Sequence, residues 1–147
     1  MATKAIERYR VGMAGEFGVC AELFKRGYDV SMTMGNYKAV DIIVTKQGGG
    51  SARIEVKTSR SSRKTIVTGF FQKYFSKTQN PHPDFWVLVY IDQYFKSHYY
   101  VLTHDEMGQE RMIRNNMTYW HHVPKGCDNV SIKTLSRYEN AWHKIPK

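Results

Sequence analysis

Apolar residues along the chain follow two periods, about 3.6 and 2, and the changes between them divide the sequence into elements. From Ala2 to Arg26, Met13, Phe17, Cys20, Ala21, Leu23 and Phe24 recur at helical spacing, with Glu22, Lys25 and Arg26 opposite. That pattern predicts an amphipathic helix with those six residues on its buried face, ended by Gly27 just past its last turn. Tyr28 to Met34 reads as a short strand before a turn at Gly35–Asn36. Val40–Thr45 and Ala52–Thr58 are β-rich runs joined by Lys46-Gln47-Gly48-Gly49-Gly50-Ser51, which predicts a hairpin with a loose glycine loop.

Ser59 to Lys64 is polar and basic, and reads as a mobile connection. Between Thr65 and Gln79 the period is ambiguous, although Phe70, Phe71, Tyr74 and Phe75 suggest a helical stripe. Pro81 and Pro83 bracket a turn. Phe85–Ile91 is apolar throughout, as in a strand covered on both faces, and His98–Leu102 is its partner. Thr103-His104-Asp105-Glu106 is a capping-box pattern opening a helix to about Asn115. Ser136-Arg137-Tyr138-Glu139 repeats it before a predicted short C-terminal helix with Ala141 and Trp142. Helix, several strands, then helix describes an α/β (α+β) domain spanning residues 1–147, a central mixed sheet flanked by helices.

Charge narrows the partner. Lys plus Arg number 22 against 13 Asp plus Glu, a net charge of +9. Neutralised phosphates release condensed counterions, so this excess favours a polyanionic partner, a nucleic acid or another phosphate-rich one. Cys20 and Cys127 form no metal-type pair, and neither a signal peptide nor a membrane-crossing run is present in the sequence. The expectation is a soluble, cytoplasmic protein without membrane contact.

Chemistry concentrates in the hairpin. In Ile54-Glu55-Val56-Lys57 the alternation of a strand puts Glu55 and Lys57 on one face, roughly 6.6 Å apart along it. Asp41 interrupts the apolar run Val40–Val44, where a solvated face would show more polar residues. If the hairpin closes with Thr45 opposite Ser51, Asp41 falls opposite Glu55, whereas a slip of one residue separates them. Two adjacent carboxylates repel, and a divalent cation between them removes the conflict. Oxygen ligands suit Mg²⁺, with Mn²⁺ as a substitute. Lys57 beside the cation can stabilise charge on a phosphate or help position and deprotonate the attacking water. Glu16 falls on the apolar side of the first helix and needs a partner, which a metal, a metal-bound water or Lys57 would supply.

Gly15-Glu16 in a leading helix, then Ala39-Val40-Asp41-Ile42, then Ile54-Glu55-Val56-Lys57 after a glycine loop, resembles the PD-(D/E)xK nuclease superfamily. Among its branches the chain looks most like the archaeal Holliday-junction resolvases and related restriction-endonuclease-like proteins, over about residues 12–60. Val40 stands where the family's name has proline, a position that carries no chemistry. The resemblance implies a restriction-endonuclease-like core. It makes Asp41 and Glu55 ligands of Mg²⁺, with the Val56 carbonyl as a further ligand. Glu16 would join through water and Lys57 would be catalytic. It also implies a Gln or basic residue on the element after the Glu-x-Lys strand, for which Gln72 and Lys73 stand as candidates, with Gln79 behind them.

The functional expectation is metal-dependent cleavage of phosphodiesters, in DNA before RNA. Arg60, Arg63 and Lys64 would contact the backbone, and a homodimer would serve symmetric cutting. Two rivals share the charge: a binding module on a nuclease fold, and an RNA-cleaving effector with the same metal site. A zinc site from His104, His121, His122 and Cys127 matches no structural-zinc spacing. Base stacking on Tyr119-Trp120, Tyr99-Tyr100 or Phe70-Phe71 is a weaker reading than half-buried strand aromatics.

Overall fold

The computed structural model describes residues 2–33, 40–70, 82–114 and 128–147. Outside them lie the Gly35–Asn36 turn, Ala39, the aromatics Phe71, Tyr74 and Phe75, Pro81, and Gln72, Lys73 and Gln79. Tyr119, Trp120, His121, His122 and Cys127 lie outside them too.

Helix α1 spans Lys4–Lys25. The Thr3 side chain accepts the Ile6 N–H at its start, taking one of the donors that a first turn leaves without a partner. Its end is a Schellman motif: Tyr28 N–H reaches the Leu23 carbonyl and Gly27 N–H the Phe24 carbonyl. That closure needs a left-handed residue, and Gly27 takes it at φ +83°.

The buried side of α1 differs from the expected one. Gly15, Val19, Cys20 and Leu23 face the sheet, while Phe17 and Phe24 are 58% and 57% exposed and Ala21 is also exposed. A close approach explains the roll. A Cβ at Gly15 would stand 1.7 Å from Thr58 Oγ1 and 2.8 Å from Thr58 Cβ. The helix therefore settles on its glycine, and the phenylalanines turn outward.

Strands β1 (Asp29–Met32), β2 (Ile42–Thr45) and β3 (Ser51–Ser59) form an antiparallel meander. β4 (Thr65–Val67) leaves the main sheet and pairs with β7 (Asn129–Ser131). β5 (Phe85–Ile91) lies parallel to β3, and β6 (Ser97–Thr103) runs antiparallel to β5. The five-stranded order is β1-β2-β3-β5-β6. This is a mixed sheet between helices, as the alternation of elements predicts.

β5 is covered on both faces, which is why its sequence is unbroken by polar residues. Val87, Val89 and Ile91 join Val19, Leu23, Ile42, Ile54 and Val56 in a core under α1. Trp86, Leu88 and Tyr90 join Leu102, Met107, Ile66 and Leu135 in a second core on the other face. Helix α2 (His104–Arg114) covers that face and opens as the capping box predicts. Glu106 N–H donates to Thr103 Oγ1 at 3.1 Å, and Thr103 N–H to Glu106 Oε2 at 2.9 Å. Among the described residues, no helix is long and apolar enough to cross a membrane.

The predicted C-terminal α-helix does not form. Ser136–Tyr138 and Trp142–Lys144 are single 3₁₀ turns instead. Glu139 is extended and bridges Tyr100 on β6, and Asn140, at φ +53°, donates its N–H to the Tyr99 carbonyl. Pairing with the edge of β6 has overridden the local cap signal, and it seats Trp142 and Ile145 in the core under α1.

The contact at Gly15 generates a paired prediction. Alanine is the better helix former, yet Gly15→Ala should cost about 1–3 kcal/mol by overpacking against β3. At Gly12 an added Cβ meets nothing within 4 Å. Gly12→Ala should therefore stabilise by about 0.5–1 kcal/mol. Urea denaturation of both variants checks the opposite signs; equal shifts would show that the close approach does not hold α1 in place.

Candidate active site

The register of the hairpin brings the predicted residues together. Ile42 pairs with Ile54 and Thr45 with Ser51. Continued by one residue, this sets Asp41 across from Glu55. Asp41 lies just before β2, and its N–H donates to the Ile54 carbonyl at 3.0 Å. Its carboxylate Oδ2 accepts the Val56 N–H at 2.8 Å. A strand residue presents its N–H and C=O to the same edge, so the Val56 carbonyl also leaves toward Asp41.

Glu55 is 3% exposed, an unusual place for a carboxylate without compensation. Compensation comes from Lys57, whose Nζ stands 3.1 Å from Glu55 Oε1. Both side chains project to the face that carries Trp86 and Leu88, their parallel neighbours on β5. Behind Glu55, Trp86 Nε1–H donates to His104 Nδ1 at 3.1 Å. His104 stacks on His82 with ring centres 4.1 Å apart. Burial, and next the neighbouring His82, push the His104 pKa down to about 4. The imidazole is therefore neutral near pH 7, and its Nδ1 accepts from Trp86 and holds that ring in place.

Glu16 comes to the same charge cluster from α1. Its pKa is raised to about 7, first by burial and then by the negative charges of Asp41 and Glu55, with Lys57 opposing. Three carboxylates and one ammonium thus act on one another around the side of β3 that faces Asp41. Among the described residues, no group of three His, Cys, Asp or Glu side chains already converges as a metal cage. Asp41, Glu55 and the Val56 carbonyl nevertheless match the oxygen donors that Mg²⁺ takes, since it keeps several waters and needs only one or two carboxylates. The surplus negative charge recorded at Glu16 fits a divalent cation in the same way.

The basic candidates are placed unevenly. Arg60 leaves the end of β3 and lies over the Phe95 ring at 4.4 Å. Arg63 is exposed at a turn, and Lys64 is exposed at φ +54°. Hydrogen bonds define this connection: Lys64 N–H to the Ser61 carbonyl, and Ile132 N–H to the Lys64 carbonyl, at 2.9 and 3.0 Å. Gln72 and Lys73 lie outside the described residues. The sequence reading missed Lys4 and Arg8, which line a groove of about 640 Å³ with Ser59, Arg60 and Ser61. Their signal was present: positions 4, 8 and 11 share the helix flank that continues to Gly15.

No protein-family model matches the sequence, and no curated protein matches it either. In three dimensions the chain is similar to a bacterial homing endonuclease, I-Ssp6803I, with a TM-score of 0.57 at 17% identity. The match covers 98% of this chain and 91% of that one. At such identity the likeness is one of fold: the α/β core described above is shared with a nuclease.

The carboxyl of Glu16 yields a pH prediction. Its folded pKa lies above the ordinary carboxyl value of 4.5, so the native state holds this proton more tightly than the unfolded chain does. Stability is therefore lost as the pH rises through about 7, and the loss is absent below about 4.5, where both states are protonated. Without divalent cations, Glu16→Gln should gain melting temperature over the parent between about pH 5 and pH 8. A difference that stays constant over that range would assign the titration to another group.

Proposed function

We propose that this protein is a divalent-cation-dependent endonuclease acting on DNA, with a PD-(D/E)xK type of site. The observation that carries the reading is the meeting of Asp41, Glu55 and Lys57 at one edge of β3. The basic groove beside them and the nuclease fold support it. Asp41, Glu55 and the Val56 carbonyl would hold Mg²⁺ or Mn²⁺. When bound, such a cation supplies an activated water and neutralises charge on the phosphate.

The remaining work falls to the chain's own side chains. Lys57 sits 3.1 Å from Glu55, which directs its ammonium to the cluster. From there it can donate to a phosphate oxygen as negative charge develops in the transition state. Glu16, with its pKa raised to about 7, titrates near neutral pH, and a cation held beside it would favour its ionised form. Arg60, Lys4 and Arg8 line the groove along which a phosphate backbone can be held. Glu55 is buried beside Trp86, its neighbour on β5, and charge in such a place is less screened than in water.

The reading separates a catalyst from a binder at Lys57. Lys57→Ala should lower the Mg²⁺-dependent cleavage rate of DNA by a factor on the order of 10²–10³, as for other lost electrostatic groups. Affinity should change little, because one phosphate contact among several shifts the salt slope by about one. Cleavage time courses and gel-shift titrations on the same preparations measure both. A parent protein that binds DNA but cleaves neither duplex nor branched DNA with Mg²⁺ or Mn²⁺ would leave only the binding-module rival. Preferential cleavage of RNA would move the substrate assignment.

A further inference from the structure

Beyond the cluster on β3, the same end of the sheet carries a larger cavity of about 780 Å³. Its walls include Arg60 and Lys64 from the β3–β4 connection, Tyr90 and Tyr100 from the sheet, Tyr94 from the β5–β6 turn, and Glu139. Tyr90 and Tyr100 are buried and make the floor, while Tyr94 is 80% exposed at the rim. Beside it Phe95, also exposed, lies beneath the Arg60 guanidinium.

The turn that presents these rings is built rather than loose. Asp92 accepts the N–H groups of Tyr94 and Lys96 at 2.8 and 3.0 Å, and its other oxygen meets His98 Nε2 at 2.9 Å. Lys64, Phe95 and Asn140 are the non-glycine residues with positive φ among the described residues. All three border this cavity or the residue next to it. Left-handed backbone at a phenylalanine is rare, and such strain gathers at ligand clamps.

We infer that this cavity receives one unpaired nucleotide of the DNA strand being cut, with its base stacked on Tyr94 and its phosphate held by Arg60 and Lys64. The inference rests on the nucleic-acid reading and adds to it the state of the substrate. The volume falls in the range of small-molecule sites and exceeds what a bare phosphate needs. An exposed tyrosine beside an arginine-capped phenylalanine is a stacking platform, which suits any base. Glu139 supplies an acceptor for an exocyclic amine. A base held inside a duplex has both faces stacked and its Watson–Crick edge paired, so a base stacked on Tyr94 must be unpaired. Placement agrees: Ser59 pairs with Tyr90, two residues beyond Lys57 on the same strand. Arg60 is then about 10 Å from Lys57 along β3, a few nucleotides from the phosphate that Lys57 faces.

The test uses the whole chain in EDTA, so that binding is read without cleavage. A single-stranded DNA oligonucleotide carrying one 2-aminopurine is titrated, and its fluorescence follows stacking. The parent should quench the probe. Tyr94→Ala should abolish the quench and weaken single-strand affinity by roughly 10-fold, while Tyr94→Phe keeps both because stacking needs the ring alone. Affinity for a blunt duplex of the same sequence should stay within about two-fold in all three. Unchanged single-strand binding in Tyr94→Ala, or equal losses on single strand and duplex, would overturn the subsite. Competition by inorganic phosphate as effective as that by a mononucleotide would do so too. A chain that shows the Tyr94 dependence yet cuts no substrate in Mg²⁺ keeps the subsite and loses the nuclease reading. A chain that cuts normally with Tyr94→Ala unaltered in binding does the reverse.

Discussion

A slip of one residue between β2 and β3 would carry Asp41 to the face of the sheet away from Glu55, and the site depends on that slip not occurring. Several features oppose it. Ile42, Val44 and Ile54 are fully buried under α1, and each apolar side chain of that size contributes about 1.5–3 kcal/mol when buried. A slip would turn the apolar set of one strand away from the core that the other still faces. The glycine loop closes at a fixed length, with Lys46 N–H on the Gly50 carbonyl and Gly49 and Gly50 at φ +97° and +80°. Asp41 then locks the open end by accepting the Val56 N–H. The hydrophobic core, built for stability, thereby sets the spacing of the carboxylates.

Charge and packing meet at the same strand. Glu55 is buried beside Lys57, Asp41 is tied to backbone, and Glu16 answers first its burial and then the repulsion of the other two with a raised pKa. Each carboxylate has a different compensation, which is why three of them persist in one region of a basic protein. The glycine at position 15 lets α1 lie close enough on Thr58 for Glu16 to feel Asp41 and Glu55 at all. A bulkier residue there would move the helix and its acid away together.

Much of this arrangement was legible in the sequence, because it rests on local rules. The hairpin register follows from alternation and the glycine loop, β5 from its unbroken apolar run, and the start of α2 from its capping box. The failures were tertiary. Nothing in the helical wheel of α1 says that Gly15, rather than Phe17, meets the sheet. The Ser136–Glu139 cap signal lost to pairing with the edge of β6, which no local pattern encodes. The cavity near Tyr94 joins segments distant in sequence, so no local pattern brings its tyrosines together. Asp41, Glu55 and Lys57 were found together because they sit on adjacent strands of one hairpin. Lys4 and Arg8 were missed because the helix brings them to the groove from another part of the chain.

The central claim is that this hairpin presents Asp41 and Glu55 as one divalent-cation site. Titration of the full chain with Mn²⁺, followed by electron paramagnetic resonance of the free ion, tests it most directly. The account predicts one strong site per chain in the parent. In Asp41→Asn the site should be lost while the fold persists, since the amide oxygen can still accept the Val56 N–H. Mn²⁺ binding that is absent from the parent, or equally tight in Asp41→Asn, would contradict it.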